Sequence, residues 1–147
     1  MYMMKNYLTQ KTSQLCFLVI IALACSCGGD DGPTPLEERL RDLTATWSVS
    51  SVSNDNTDVT SQFSGFNLTV SGDKTYSTTN GGNPWPASGT FDIASENLDL
   101  FRRDDNVDIS IVNITETQLT LSFNMSSVRG TASGITGSFT FNLTKTN

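Results

Sequence analysis

Apolar and polar residues alternate one by one through most of the chain after Trp47. In the segment 119–125, two leucines, a phenylalanine and a methionine alternate with threonine, serine and asparagine. Successive side chains of a β-strand point to opposite faces of the sheet, so each such segment has one buried and one solvated face. This pattern is typical of antiparallel sheet, because the strands of a parallel sheet are covered on both faces.

Turn residues separate the alternating segments and set the limits of the predicted strands. The predicted strands are 46–53, 65–71, 74–79, 88–94, 97–102, 107–114, 117–125 and 134–145. Most connections are short, as at Gly72-Asp73 and Ser95-Glu96, and predict hairpins. Consecutive strands joined by hairpins predict an eight-stranded antiparallel up-and-down barrel, which leaves no unpaired edge. A two-sheet β-sandwich is the alternative, because strand number and alternation do not determine closure.

A short amphipathic helix is predicted immediately before the first strand. Leucines recur through 36–43 with the spacing of one helix face. Thr34 is the predicted N-cap, with Pro35 at the first helical position and Glu37 completing a capping box. Two helical turns are too short to be stable alone, so the leucine face is expected to rest on the domain that follows.

The segment 15–24, LCFLVIIALA, carries no charge and is preceded by Lys5 and Lys11. At about 1.5 Å per helical residue it is too short to span a bilayer. An apolar segment of this length after positive residues is typical of an export signal. The next stretch, 28–35, has no large apolar residue and predicts a flexible tether.

All three cysteines, at positions 16, 25 and 27, lie near the start of the chain, and the sequence contains no histidine. The chain after Cys27 therefore has no disulfide framework and no zinc site built on cysteine and histidine. Catalysis that needs a histidine base is excluded for the same reason. Neither a metal nor a cofactor is predicted.

Small residues followed by cysteine at the end of the apolar segment resemble the lipobox of bacterial lipoproteins. In that family the signal is cut before the cysteine, which is acylated through its sulfur. Cys27 is the favoured lipidation site, because the following Gly28–Asp31 resembles the acidic stretch of exported Bacteroidota lipoproteins; Cys25 is the alternative. The resemblance implies a signal peptide over 1–26, a tether over 27–35, a folded β domain over 36–147 and a lipid anchor in the cell outer membrane.

The start of the first predicted strand resembles the opening of lipocalin-like domains. In those domains a short helix leads into L-x-G-x-W, and here Leu43–Trp47 reads L-T-A-T-W, with alanine in place of glycine. Later motifs, from F-x-L-x-V at 66–70 to F-x-F-x-L at 139–143, are similar in order to those of lipocalin-like lipoproteins of Bacteroidota. The resemblance implies an eight-stranded barrel, closed at one end by Trp47, that holds a small apolar ligand.

The segment Asn80–Gly89, NGGNPWPASG, places a tryptophan between two prolines on a predicted loop. Two interpretations of Trp85 stay open: it contacts a ligand, for example by stacking on a sugar ring, or it folds back and plugs the barrel. Arg102 and Arg103 are adjacent in one strand and point to opposite faces, so at most one of them faces the interior; the alternative is that the strand frays here and both reach solvent. The candidate ligand contacts are Trp47, Phe66, Trp85, Phe91, Arg102 and Phe123.

The charge of the chain limits its partners. It has 15 acidic residues against 9 basic ones, and removal of the signal would also remove Lys5 and Lys11. An acidic surface repels phosphate backbones, so a nucleic-acid partner is not expected, and attachment to the membrane would depend on the acyl chains. The D-x-N-x-D run at 104–108 lacks the glycine and glutamate of a calcium loop and predicts a polar turn.

Two hypotheses for function follow. In the first, the protein is a non-enzymatic carrier that binds a small apolar or amphipathic molecule between its sheet faces. In the second, it is a protein or glycan interaction module with a filled core and no internal ligand. No catalytic residue is predicted, because carboxylates on alternating strands are typical of a solvated face.

Overall fold

A computed structural model describes residues 32–126 and 136–146. One helix, α1, spans Pro35–Leu43, and a short 3-10 turn spans Thr60–Phe63. The strands are β1 (Ala45–Asn54), β2 (Thr57–Asp58), β3 (Asn67–Val70), β4 (Thr75–Thr79), β5 (Ser88–Ala94), β6 (Asn97–Arg103), β7 (Asp108–Ile114), β8 (Gln118–Met125) and β9 (Gly137–Lys145). Within the described residues, no helix is long and apolar enough to cross a membrane.

The strands form a closed antiparallel up-and-down barrel. Each strand from β3 to β8 pairs with the next along the chain, and β1 pairs with β3 on one side and with β9 on the other. The β1–β9 ladder runs from Trp47 opposite Lys145 to Asn54 opposite Phe139. This ladder closes the sheet, so the predicted eight-stranded barrel is confirmed and the sandwich alternative is wrong. The short β2 is an additional strand on the end of β1.

The predicted cap of α1 is present. The Thr34 hydroxyl accepts a hydrogen bond from the Glu37 backbone at 3.3 Å, and the Glu37 carboxylate accepts one from the Thr34 backbone at 2.7 Å. Leu43 is buried, and the other two leucines pack against the core. The Trp47 indole N–H donates to the Leu43 carbonyl at 2.9 Å, which joins the end of the helix to the first strand.

The barrel has two ends with different closures. At the α1 end lie the helix and the turns at 71–74, 95–96 and 115–117. At the opposite end lie the 55–66 segment, the 80–87 loop and the 104–107 turn. We call this second end the Trp85 end.

Register shifts change which side chains face the interior. A shift between Ile93 and Ala94 pairs Ile93 with Phe101, so Phe101 and Arg103 are buried. Strict alternation along 97–102 would place Leu100 inside with Leu98, but Leu100 is only half-buried and lies opposite Ser110 on the solvated side. A shift in β1 brings Val52 into the core by the same mechanism, because an extra residue reverses the face of every residue beyond it.

Candidate functional site

The barrel interior is occupied by its own aromatic side chains. All aromatic side chains of the described residues are buried. Trp85 lies among them, with ring centroids 5.9 Å from Phe66, 6.0 Å from Tyr76 and 5.5 Å from Phe123. Only 2% of the Trp85 surface is exposed. Trp85 therefore plugs the barrel from the 80–87 loop, and its ring offers no free face for stacking on a ligand.

The other aromatic candidates also line this interior. Trp47, Phe66 and Phe123 are buried, and Phe91 stacks on Phe101 at 4.2 Å between centroids. The structure thus brings together most of the predicted contact residues. Trp47 is the exception in position, because it lies at the α1 end, with the Lys145 ammonium 5.7 Å from the centre of its ring.

Hydrogen bonds from Thr78 hold the loop that carries Trp85. The Thr78 hydroxyl donates to the Pro86 carbonyl at 2.8 Å, and the Thr78 backbone N–H donates to the Ala87 carbonyl at 2.8 Å. Gly82 has a φ of 59°, a conformation that favours glycine. The end of the loop that follows Trp85 is therefore tied to Thr78 of β4.

Gly81 lies where the loop backbone passes Trp85. A Cβ on Gly81 would lie 2.6 Å from the Trp85 Cβ and 2.8 Å from the Trp85 carbonyl oxygen. We expect G81A to lower the free energy of unfolding by about 1–3 kcal/mol, because backbone atoms have to move to relieve the overlap. Urea unfolding measures this effect. The matched control is G72A, whose Cβ would meet nothing closer than 3.8 Å; equal losses for the two variants would contradict the prediction.

Arg103, and not Arg102, is the arginine that faces the interior. Its side chain is only 1% exposed, and its guanidinium carbon lies 5.1 Å from the centre of the Trp85 ring. Nη1 donates to the Pro84 carbonyl at 2.7 Å, and Nε and Nη2 donate to the Asp105 carboxylate. Arg103 thus joins the Trp85 loop to the β6–β7 turn.

The Asp105 carboxylate balances this buried charge. Partial burial raises the pKa of Asp105, but the hydrogen bonds and the positive charge of Arg103 outweigh it, and the net pKa is lowered. Asp105 keeps 38% of its side chain exposed. The pair is therefore half-solvated, with its cation inside the barrel and its anion at the rim.

Arg102 points outward, which removes it from the set of interior contacts. Its Nη2 donates to an Asp108 carboxylate oxygen at 2.8 Å, and 59% of the side chain is exposed. The hydrogen bonds from Arg102 lower the pKa of Asp108. Sequence reasoning left open whether either arginine of the pair faces inward, because the register shift between β5 and β6 has no signature in the alternation.

Two buried polar atoms of the aromatic cluster around Trp85 have no partner among the described residues. They are the Trp85 indole nitrogen and the Tyr76 hydroxyl oxygen. Burial raises the pKa of Tyr76, and the nearby Arg103 charge opposes that rise. Burying a polar group without a hydrogen-bond partner costs about 1–3 kcal/mol, so each of these two atoms lowers the stability of the folded barrel. Sequence analysis did not single out Tyr76.

A groove opens at the α1 end, and we call it the α1-end groove. It has a volume of about 570 Å³ and is lined by Arg41, Asp42, Ile114, Thr115, Glu116, Thr117 and Lys145. No residue of this groove was a sequence candidate, because its members come from three separate segments. Among the described residues, no cluster of three or more acidic or sulfur ligands is suited to a metal ion.

Cys25, Cys27 and the predicted signal peptide lie outside the described residues. No family model, curated protein or solved structure matched the chain.

Proposed function

We propose that the protein is a lipoprotein of the cell envelope, anchored in the outer membrane through Cys27, whose lipocalin-like barrel has a filled core and acts through its outer surface. The anchor is supported by the short apolar segment, the cysteine after small residues and the polar tether. In this proposal the barrel is an interaction module and not an enzyme.

The filled interior is the observation that carries the proposal. Trp85 occupies the centre of the aromatic cluster, and Phe141 adds a further ring contact at 6.0 Å. Truncating a buried tryptophan to alanine costs about 3–5 kcal/mol. An internal ligand that displaced Trp85 would have to offset a cost of this order with its own contacts. A barrel of this size either fills with side chains or holds one small ligand, and the ring contacts of Trp85 support the filled case.

The outer surface sets the kind of partner. Val112, 63% exposed, is the sole exposed large apolar side chain in the part of the chain that the structure describes. Sugar rings are bound by stacking on exposed aromatic faces, and the buried aromatic residues here offer none. A protein or lipid partner recognised through polar and charged groups therefore fits this surface better than a glycan.

A carrier of a small apolar or amphipathic molecule is the second candidate. Its support is the position of Trp85 on a loop, together with the unpartnered indole nitrogen and Tyr76 hydroxyl. A ligand that displaced Trp85 would release the indole N–H to solvent and offset part of the cost of opening. The two candidates thus differ in whether Trp85 moves.

Tryptophan fluorescence separates the two candidates. We expect no shift of the emission maximum on titration with 1-anilinonaphthalene-8-sulfonate or with palmitate, because Trp85 stays buried. Saturable quenching or a red shift by either probe, abolished in W85F, would overturn the filled-core proposal in favour of the carrier. Oligosaccharide titrations are expected to leave the emission unchanged.

The anchor is tested by membrane fractionation of cells that express single cysteine variants. C27S is expected to move the protein from the membrane pellet to the soluble fraction, and the matched control C25S is expected to leave it in the pellet. If C25S alone releases the protein, Cys25 carries the lipid; if neither does, the proposed attachment is wrong.

A further inference from the structure

Among the described residues, some basic side chains form ion pairs with carboxylates and others do not. Four of the six form ion pairs with aspartates: Arg39 with Asp99, Lys74 with Asp92, Arg102 with Asp108 and Arg103 with Asp105. The two that lack an acidic partner are Arg41 and Lys145, and both line the α1-end groove. The chain has more acidic than basic residues, and yet these two cations in one groove have no carboxylate partner within the described ranges; the Lys145 ammonium contacts the Trp47 ring.

The same groove holds two carboxylates that also lack a cationic partner. Asp42 precedes Leu43 at the end of α1, and Glu116 lies in the β7–β8 turn. Neither forms an ion pair in the part of the chain that the structure describes. The groove therefore presents two positive and two negative side chains, and a ligand that complements it has to carry both signs of charge.

The α1-end groove lies close in sequence to the predicted tether. Arg41 and Asp42 belong to α1, the first element after residues 27–34. A chain of this length reaches at most roughly 27 Å when extended, at about 3.3–3.6 Å per residue. If Cys27 is acylated, the α1 end is the end of the barrel tied closest to the lipid headgroups, and this step rests on the proposed anchor.

We propose that the α1-end groove binds the phosphoethanolamine headgroup of a zwitterionic phospholipid. Arg41 and Lys145 contact the phosphate, and Asp42 and Glu116 accept hydrogen bonds from the ammonium. A primary ammonium donates three hydrogen bonds, which suits carboxylate acceptors. A quaternary ammonium is bound by aromatic cages, and no aromatic residue lines this groove. The acidic surface also disfavours anionic lipids, which leaves a zwitterion as the matching class.

Titration with soluble headgroups tests the groove without the bilayer. The full-length acylated protein, purified in dodecyl maltoside, is titrated with glycerophosphoethanolamine while tryptophan fluorescence is recorded. Lys145 lies over the Trp47 ring, so a ligand that draws Lys145 away changes the Trp47 emission. We expect saturable binding, with glycerophosphocholine and inorganic phosphate each at least tenfold weaker.

Substitutions test which charged residues of the groove bind the phosphate and which bind the ammonium. We expect R41A/K145A to weaken glycerophosphoethanolamine binding at least tenfold, with NMR shifts of residues 114–117 as the readout because this variant loses the Lys145–Trp47 contact. D42N/E116Q is expected to remove the preference over inorganic phosphate. The matched control is K74A, whose lysine pairs with Asp92 away from the groove and whose loss is expected to leave binding unchanged. Equal binding of the choline and ethanolamine probes, or binding that survives R41A/K145A, would overturn the proposal.

Vesicles separate a lipid source from a free zwitterion. Phosphatidylethanolamine vesicles are expected to compete with the soluble headgroup, and phosphatidylcholine vesicles are not. If the soluble headgroup binds and neither vesicle competes, the lipid assignment is wrong. If headgroup binding is observed but C27S does not release the protein from membranes, the proposed lipid anchor is wrong and the proposed headgroup site is still supported. The two proposals are therefore tested independently.

Discussion

Replacing Trp85 with alanine is expected to lower the free energy of unfolding by about 3–5 kcal/mol, the largest effect of any single substitution proposed for this barrel. The reason is the cavity that it leaves between Phe66, Tyr76 and Phe123, whose rings all contact the indole. Chemical denaturation in urea measures the change, and an unchanged slope of the transition would show that the loss belongs to the folded state.

The matched control for this prediction is W85F. It keeps an aromatic ring in the plug and removes the indole N–H, which has no partner among the described residues. We expect W85F to lose less than half as much stability as W85A, because no hydrogen bond is lost and the cavity is smaller. A W85A protein as stable as the wild type would show that Trp85 is not packed in solution, and the filled-core proposal would fail with it.

Replacing Arg103 with alanine is expected to cost about 3 kcal/mol, near the lower limit for breaking a buried ion pair. The lower limit applies because Asp105 reaches solvent and keeps part of its hydration after the arginine is removed. The variant also leaves the Pro84 carbonyl without its donor and removes the cation from the Trp85 ring. Thermal and urea unfolding at neutral pH measure the loss.

Arg102 provides the control for Arg103, since the two residues are adjacent and each pairs with one aspartate. R102A is expected to leave the unfolding midpoint nearly unchanged, because an exposed ion pair contributes little. The double variant R103M/D105N is expected to recover part of the loss, because it leaves no charge unpaired. Equal destabilisation by R102A and R103A would contradict the assignment of the interior arginine.

The same pair predicts how the R103A effect depends on pH. The folded-state pKa of Asp105 is lowered, so its ionisation stabilises the fold above its ordinary value of about 3.9 and this contribution is lost as the pH falls through the lowered value. The difference between wild type and R103A is therefore expected to shrink in acid. A difference that stays constant down to pH 2 would mean that Arg103 acts through packing alone.

Local patterns predicted the elements of this fold well. The capping box placed the start of α1 to within one residue, because the groups that satisfy a helix N-terminus are close in sequence. The strand limits agree to within a few residues, since alternation and turn residues are also local. The short β2 was missed, because two residues are too few to show a period.

The candidate site was predicted in part. Aromatic residues such as Phe66 and Phe123 were expected inside and lie there. Which arginine of the pair faces the interior was left open, although Arg102 was named as a contact. The alternation does not show the offset of three residues in the β5–β6 ladder, and an odd offset reverses the facing of the residues beyond it. Trp85 was left between two interpretations, because the side chains of a loop do not alternate regularly and the sequence therefore does not predict which way Trp85 points.

By itself, the sequence determined an antiparallel sheet with one apolar face, a capped helix before it and no histidine or cysteine chemistry in the barrel. These properties follow from residue type and spacing along the chain. Only the tertiary structure decided that β1 pairs with β9, that Trp85 fills the barrel, that Arg103 faces inward and that Arg41 and Lys145 share a groove. Each of these depends on contacts between segments far apart in sequence, whose registers and bulges are set by the packing of the whole barrel.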